Sequence, residues 1–161
     1  MMKPNVHYET MITIKNGEEV TLRTEYVGAE EYIDFLRRSD LGKQYPKEDF
    51  QQRVSDLVGN IQISLIARNE QSQIVGICFG LTDFAYWLMI TDLGTDRTYE
   101  KQGLGKALME IAHEIAGGEN KIIVFAYANE NAIPFYKKIG MKEARSMMIK
   151  DNIEYTEFVV E

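Results

Sequence analysis

The sequence predicts a mixed α/β fold: a mostly antiparallel sheet that ends in one parallel pair of strands, with helices on both faces. Two observations predict it. Runs rich in β-branched residues occupy residues 11–23 and 62–93 with short polar links between them, and short links favour antiparallel neighbours. A strand–helix–strand unit follows over residues 86–127, and a helical crossover of this kind joins parallel strands.

The first half of the chain predicts a hairpin, two helices and a three-stranded meander. Asn16-Gly17 stands between two β-branched runs, and both residues tolerate the positive φ that a tight hairpin turn requires. Apolar residues then recur at helical spacing before the meander begins. The predicted strands are residues 11–14, 20–23, 62–68, 73–81 and 86–93, and the predicted helices are residues 29–38 and 47–57.

In the second half, an apolar stripe at helical spacing starts at Leu104 and stops at Gly117-Gly118. The near-continuous apolar run at 121–127 predicts a strand that is buried on both faces. A short helix over 131–139 and two final strands, over 143–149 and 153–160, complete the prediction.

Composition indicates an ordinary globular chain. Its 161 residues are 45% apolar and 27% charged, without repeats or a linker, so we expect a single domain over 1–161 in which 1–17 add an extra N-terminal strand or hairpin. The net charge of −7 argues against nucleic-acid binding. The single cysteine, Cys78, and the absence of a signal peptide or a membrane-spanning stretch predict a cytoplasmic protein.

The stretch 99–108 (YEKQGLGKAL) carries the first functional signal. Its glycines precede a helix, whose first N–H groups lack intrahelical partners and carry partial positive charge. A phosphate satisfies such groups, and glycine lets it approach closely. A dinucleotide-binding fingerprint is excluded because Leu108 replaces the third glycine, and a P-loop because Ala107 follows Lys106. The motif alone also fits a turn with no ligand.

A second motif lies downstream, over residues 128–141 (ANENAIPFYKKIGM). Together the two resemble the GNAT N-acetyltransferase superfamily, in which a Gln/Arg-x-x-Gly-x-Gly/Ala loop is followed by Asn-x-x-Ala-x-x-x-Tyr-x-x-x-Gly-Phe. The loop match is Gly103 and Gly105; the second-motif match is Asn129, Ala132, Tyr136 and Gly140. Two positions depart from the pattern: Glu100 replaces Gln/Arg, and Met141 replaces Phe.

The resemblance implies a GNAT-like sheet with a splayed parallel strand pair and acetyl-CoA bound where 86–95 and 121–127 diverge. Backbone groups near Leu93 and Thr95 would then pair with the pantetheine arm as an added strand does. The residues implied to hold the cofactor are Leu93, Thr95, Lys101, Gln102, Gly103, Leu104, Gly105, Lys106 and Asn129. We expect Asn131 to cap the following helix and leave Asn129 free for the cofactor.

The activity implied is acetyl transfer to a primary amine, which attacks the thioester directly. Tyr136 would be the acid that protonates the departing sulfur, and a backbone N–H near 93–95 would stabilise the oxyanion. The general base is either Asp92 or a chain of water molecules. Phe79, Phe84, Tyr86 and Trp87 either wall an acceptor pocket or are ordinary sheet core.

The implied partners are acetyl-CoA and a small-molecule or protein amine, with no membrane and no metal. A homodimer through the C-terminal strands is compatible with this pattern. Because Glu100 would repel a pyrophosphate, a non-catalytic acyl-CoA-binding regulatory module is the alternative function. A plain interaction domain without CoA binding is a third.

Overall fold

The computed structural model describes residues 6–155 and 158–161 of the chain. Its sheet has six strands in the order β1-β2-β3-β4-β5-β6, antiparallel throughout except for the parallel pair β5–β6. The strands are β1 (Glu9–Thr13), β2 (Glu19–Thr24), β3 (Ile63–Arg68), β4 (Ile74–Thr82), β5 (Trp87–Thr95) and β6 (Ile123–Ala126). This order confirms the mixed α/β fold class.

In the described residues, three α-helices and two short 3-10 turns connect the strands, and a fourth α-helix follows β6. The helices are α1 (Ala29–Arg37), α2 (Phe50–Asn60), α3 (Leu104–Ala116) and α4 (Ile133–Lys138). The 3-10 turns are Leu41–Gln44, between α1 and α2, and Arg97–Tyr99, between β5 and α3. No helix in the described ranges has the length and apolarity needed to cross a bilayer.

Each face of the sheet has its own core. On one face, α3 places Leu104, Leu108 and Ala112 against Leu65 and Cys78 of the sheet. The other face is covered by α1 and α2, and their core includes Phe35, Val54, Ile77 and Phe79. The alternation of side chains along each strand therefore decides which face a residue serves.

The strands β5 and β6 pair over only four residues and then separate. Their last paired residues are Ile90 and Ala126, whereas β5 continues beside β4 as far as Thr95. Just after Ile90, the β4–β5 register shifts: Gly80 faces Ile90 and Phe79 faces Asp92, so Thr91 is an extra residue. Such a bulge bends its strand and ends regular pairing, and it lies where the two strands diverge.

The hairpin at Asn16-Gly17 is confirmed: Gly17 has φ +92° and β1 pairs with β2 around it. The final strands are wrong over 143–155, which contain no strand; residues 156–157 lie outside the described ranges. A strand pattern needs a neighbouring strand, and the chain end instead packs under the helices, with the Phe158 and Phe50 rings 5.3 Å apart. Burial of 121–127 on both faces is also wrong, since Ile123 is 57% exposed.

Gly94 tests how tightly the 3-10 turn Leu41–Gln44 packs on β5. An added Cβ would lie 2.6 Å from Leu41 Cγ, so Gly94→Ala forces Leu41 outward and should lower the free energy of unfolding by about 1–3 kcal/mol. Gly59→Ala is the control, because an added Cβ meets no atom within 4 Å and alanine favours the helix by roughly 0.5–1 kcal/mol. Urea unfolding should separate the two; equal midpoints would contradict this packing.

Candidate active site

A cleft of about 230 Å³ opens where β5 and β6 separate. Four of the residues predicted from the sequence line it: Leu93 and Thr95 on β5, Asn129 after β6, and Tyr136 on α4. The remaining lining residues are Asp40, Leu41, Gln44, Ile90, Thr91, Gly94, Glu100, Tyr127, Ala128 and Ala132. The cleft thus contacts both helical layers through the gap in the sheet.

The glycine turn, residues 101–106, precedes and begins α3. Gly103 is the N-cap of α3 with φ +86°, and Lys101 also has a left-handed φ of +60°. Within the described residues, no protein acceptor takes a hydrogen bond from the backbone N–H groups of 101–106. A Cβ at Gly103 would have no closer neighbour than Lys15 Cε, at 4.0 Å. The turn is therefore an open cradle of unpaired donors.

The N-terminal hairpin braces this turn through two contacts that no local sequence pattern indicates. The backbone N–H of Lys15 donates to the carbonyl of Gln102 at 3.2 Å. The Tyr99 hydroxyl, just before the turn, donates to Glu18 Oε2 at 2.7 Å. These contacts join residues distant in sequence, so local patterns could not reveal them.

Arg97 and Arg38 join the wall of the cleft that contains Asp40 to the loop that leads from β5 to the glycine turn. Arg97 donates to Asp40 Oδ1 at 2.9 Å and to the carbonyl of Ser39 at 2.7 Å. Arg38 donates to Asp96. Burial opposes ionisation of Asp96, but hydrogen bonds from Thr98 and the Arg38 guanidinium outweigh it, so the pKa of Asp96 lies below its usual value. These ion pairs hold Asp40, a lining residue, beside the loop.

Tyr136 lies half-buried on α4 and faces the cleft. Its ring meets that of Phe135 edge-on, with the centroids 5.2 Å apart. Burial raises the pKa of Tyr136 to about 12, and the neighbouring Cys78 and Asp92 add to the rise. The phenol therefore stays protonated at neutral pH and can donate a proton.

Asp92 follows the bulge on β5, but it is not among the lining residues. Its side chain is buried, and the Tyr45 hydroxyl donates to it while also lying 2.7 Å from the Tyr32 hydroxyl. Burial raises the pKa of Asp92 above its usual value, against the hydrogen bonds from Tyr45 and Thr91. The Asp92 carboxylate is thus set back from the cleft, whereas its neighbour Thr91 belongs to the lining.

Asn129 is less free than the sequence predicts. Its Oδ1 accepts from the backbone N–H of Ala132 at 3.0 Å. The N-cap of α4 is Ala132, without a side-chain hydrogen bond, so the prediction that Asn131 caps this helix is wrong. Asn129 closes this turn itself, because its side-chain carbonyl can reach a free backbone amide two or three residues later. It nevertheless lines the cleft.

Side chains of both charges surround the glycine turn. Glu100 is exposed and lines the cleft, while residues 101–106 lie beyond its lining. Lys101 is exposed, and Lys106 Nζ lies 3.8 Å from Glu110 Oε1. In the part of the chain that the structure describes, no group of three His, Cys, Asp or Glu side chains is arranged to hold a metal.

The fold is shared with solved acetyltransferase structures. The GNAT domain of S. lividans PAT superposes with a TM-score of 0.68 at 16% identity, covering 87% of this chain and 91% of that one. A Trypanosoma brucei acetyltransferase gives 0.60 at 22% identity, covering 82% and 99%. A GNAT family acetyltransferase of Streptococcus pneumoniae gives 0.61 at 15%, covering 83% and 99%. At these identities the likeness concerns the fold alone.

Two Glycine max proteins match part of the sequence. One is named histone acetyltransferase TAP1, and it is 30% identical over 74 residues, which are 46% of this chain and 32% of that protein. The other, TAP2, is named as an acetyltransferase and matches over 74 residues at 30%, covering 46% of this chain and 30% of that protein. The chain thus aligns with about a third of the length of these relatives.

The sequence also matches the model of the acetyltransferase (GNAT) family over residues 29–141, more than half of the chain. That range holds both helical layers, the separating strands and the cleft, and it begins after the N-terminal hairpin. With the shared fold, this match confirms the resemblance drawn from the two motifs. The chain belongs to the GNAT acetyltransferase family.

Proposed function

We propose that the protein is an acetyl-CoA-dependent N-acetyltransferase that transfers an acetyl group, by direct attack, to a primary amine of a small molecule or protein. The observation that carries the proposal is the cleft between β5 and β6, which has Tyr136 in its wall and the unpaired amides of 101–106 near its Glu100 side. Family membership supports acetyltransferase activity.

The residues present fit the cofactor. The open edge of β5 at Leu93 and Thr95 would hold the pantetheine arm, the amides of 101–106 would hold the pyrophosphate, and Asn129 would add a polar contact. Space at Gly103, where a Cβ would project, and the charges of Lys101 and Lys106 support this fit. When bound, acetyl-CoA supplies the activated acetyl group.

Tyr136 is the proton donor in this proposal. Its phenol lines the cleft and its raised pKa keeps it protonated until the pH nears 12. Backbone N–H groups of 93–95, on the edge of β5 that β6 has left, would donate to negative charge developing on the acyl oxygen. Both groups are held by regular secondary structure, which keeps them in place without reorganisation.

Asp92 is the proton acceptor, and a water molecule beside Thr91 would carry the proton to it. The carboxylate is buried and does not line the cleft, whereas Thr91 does. Its raised pKa makes it a stronger base than an exposed aspartate. The two candidates for the base, Asp92 and water, thereby become parts of one route.

Other sequence predictions stay predictions. They are the single domain over 1–161 with 1–17 as an extra piece, the cytoplasmic location, the absence of nucleic-acid and membrane partners, and the homodimer. A free, buried Cys78 supports a reducing compartment. The regulatory module remains the alternative because Glu100 lines the cleft; it predicts CoA binding without turnover on any amine.

Gly103→Ala should weaken CoA binding by about tenfold or more, because a residue with a Cβ resists φ +86° and turns the amides of the cradle. Gly118→Ala is the matched control: it has φ +93° and open space, but it follows the other end of α3. Isothermal titration with CoA compares them. Equal weakening by both variants would place the pyrophosphate elsewhere.

Tyr136→Phe should lower kcat by about 10²-fold, the usual contribution of a positioned acid, while CoA affinity changes less than about twofold. Thiol release and calorimetry measure the two effects. Tyr155→Phe removes an exposed hydroxyl outside the cleft and is the control. A parallel loss of turnover and affinity would make Tyr136 structural.

Asp92→Asn should lower kcat by about 10²-fold at neutral pH and remove the fall in activity at acid pH. That fall arises because activity needs the carboxylate, which is lost as the pH drops through its raised pKa. Tyr45→Phe removes a hydrogen bond that lowers this pKa, so it should move the acid limb to higher pH. An acid limb that neither variant alters would exclude Asp92.

A further inference from the structure

Among the residues that the structure describes, none covers one end of the sheet face that carries α1 and α2. Those helices cover Ile66, Ile77 and Phe79, near the middle of the sheet. Beyond them, Leu81 of β4 is 45% exposed, and Trp87 of β5 is 50% exposed. Single exposed apolar side chains are ordinary, but a contiguous apolar patch is typical of a binding surface.

The strand register joins these side chains into one surface, the apolar strip. Leu81 is paired with Met89, Met89 with Phe125, and Trp87 with Ile123, so all of them lie on one face. The rings of Trp87 and Phe125 meet edge-on with their centroids 6.1 Å apart. The apolar strip is Leu81, Trp87, Met89, Ile123 and Phe125.

The apolar strip leads into the cleft. Two residues beyond Met89 on β5 is Thr91, and two residues beyond Phe125 is Tyr127; both line the cleft. The 3-10 turn Leu41–Gln44 borders the cleft and packs within the core of the same face. The glycine turn begins α3, which packs on the opposite face. The strip is therefore continuous with the side of the cleft that the cofactor would leave free.

The charges of the residues that line the cleft indicate which acceptor molecules suit it. The lining includes the carboxylates of Asp40 and Glu100 but no Lys, Arg or His among the described residues. Arg97 pairs with Asp40 from outside the lining. A cation with an apolar body suits this combination, whereas a molecule with its own carboxylate beside the amine is repelled.

We propose that the apolar strip binds the body of the acceptor, which is a primary amine bearing an aromatic or branched aliphatic group and no adjacent carboxylate. This inference rests on the proposed function and specifies its acceptor. The amine enters the cleft past Thr91 and Tyr127, and the apolar group lies along Met89, Phe125 and Trp87.

Acceptor kinetics provide the main test. With acetyl-CoA saturating, kcat/KM from thiol release should be about tenfold higher for 2-phenylethylamine than for 2-methoxyethylamine, since burying a ring on apolar surface strengthens binding. Ile123→Thr and Phe125→Thr each place a β-branched residue, which suits a strand, and should bring this ratio near one. Met11→Thr is the control, because Met11 is 60% exposed on β1, distant from the cleft. It should leave the ratio unchanged.

A binding readout separates this inference from the proposed function. Trp87 is the only tryptophan, so saturable change in its fluorescence with 2-phenylethylamine, and none with 2-methoxyethylamine, would support the strip without any turnover. A saturable fluorescence change without thiol release would contradict the transferase function and support amine binding to the apolar strip. Thiol release with the same kcat/KM ratio in both variants as in the native protein would contradict acceptor binding to the apolar strip and support the transferase function.

Two other occupants would also overturn the inference. The exposed segment around Met147, Met148 and Ile149 could cover the strip from the same chain. A second copy could cover it too. Trp87 fluorescence that is insensitive to amine but changes with Met148→Asp identifies the first. Sedimentation that shows a dimer dissociated by Ile123→Thr identifies the second.

Discussion

The site depends on one break in a hydrogen-bond ladder. After Ile90 and Ala126 the parallel strands stop pairing, and the extra residue Thr91 lies at the break. A sheet interior has no free backbone groups, so a polar ligand can enter one only where pairing ends. Because β4 still holds β5 as far as Thr95, the free edge stays rigid while it is unpaired. The cleft and Tyr136 lie at that edge, and the unpaired amides of 101–106 lie just beyond the cleft lining.

The break also gives the cleft access to both faces of the sheet, and each face carries different candidate site residues. The α3 face carries the glycine turn, and the α1–α2 face carries Asp40 and the apolar strip. Arg97 and Arg38 link the two sides through Asp40 and Asp96, so the walls of the cleft are not independent. In the proposed function, a donor and an acceptor would approach from opposite faces and meet at one point, as direct transfer requires.

Local patterns foretold much of this. Periodicity and turn residues located all six strands and four helices, and the two motifs led to Tyr136, Asn129 and the glycine turn. Long-range facts were out of reach: that Asp92 bonds to Tyr45, that Lys15 braces Gln102, and that the chain end packs under the helices. The final strands were predicted because residues 143–160 have strand composition. Composition does not report whether a neighbouring strand is available.

Cys78 lies on β4 with no exposed surface, facing the core beneath Tyr136, and burial raises the pKa of its thiol well above the usual value. A thiolate is the reactive form, so the native protein resists alkylating reagents. Labelling requires α3 to separate from the sheet, because α3 covers the face on which Cys78 lies. The rate at which the Cys78 thiol is modified therefore reports how often this side of the cleft opens.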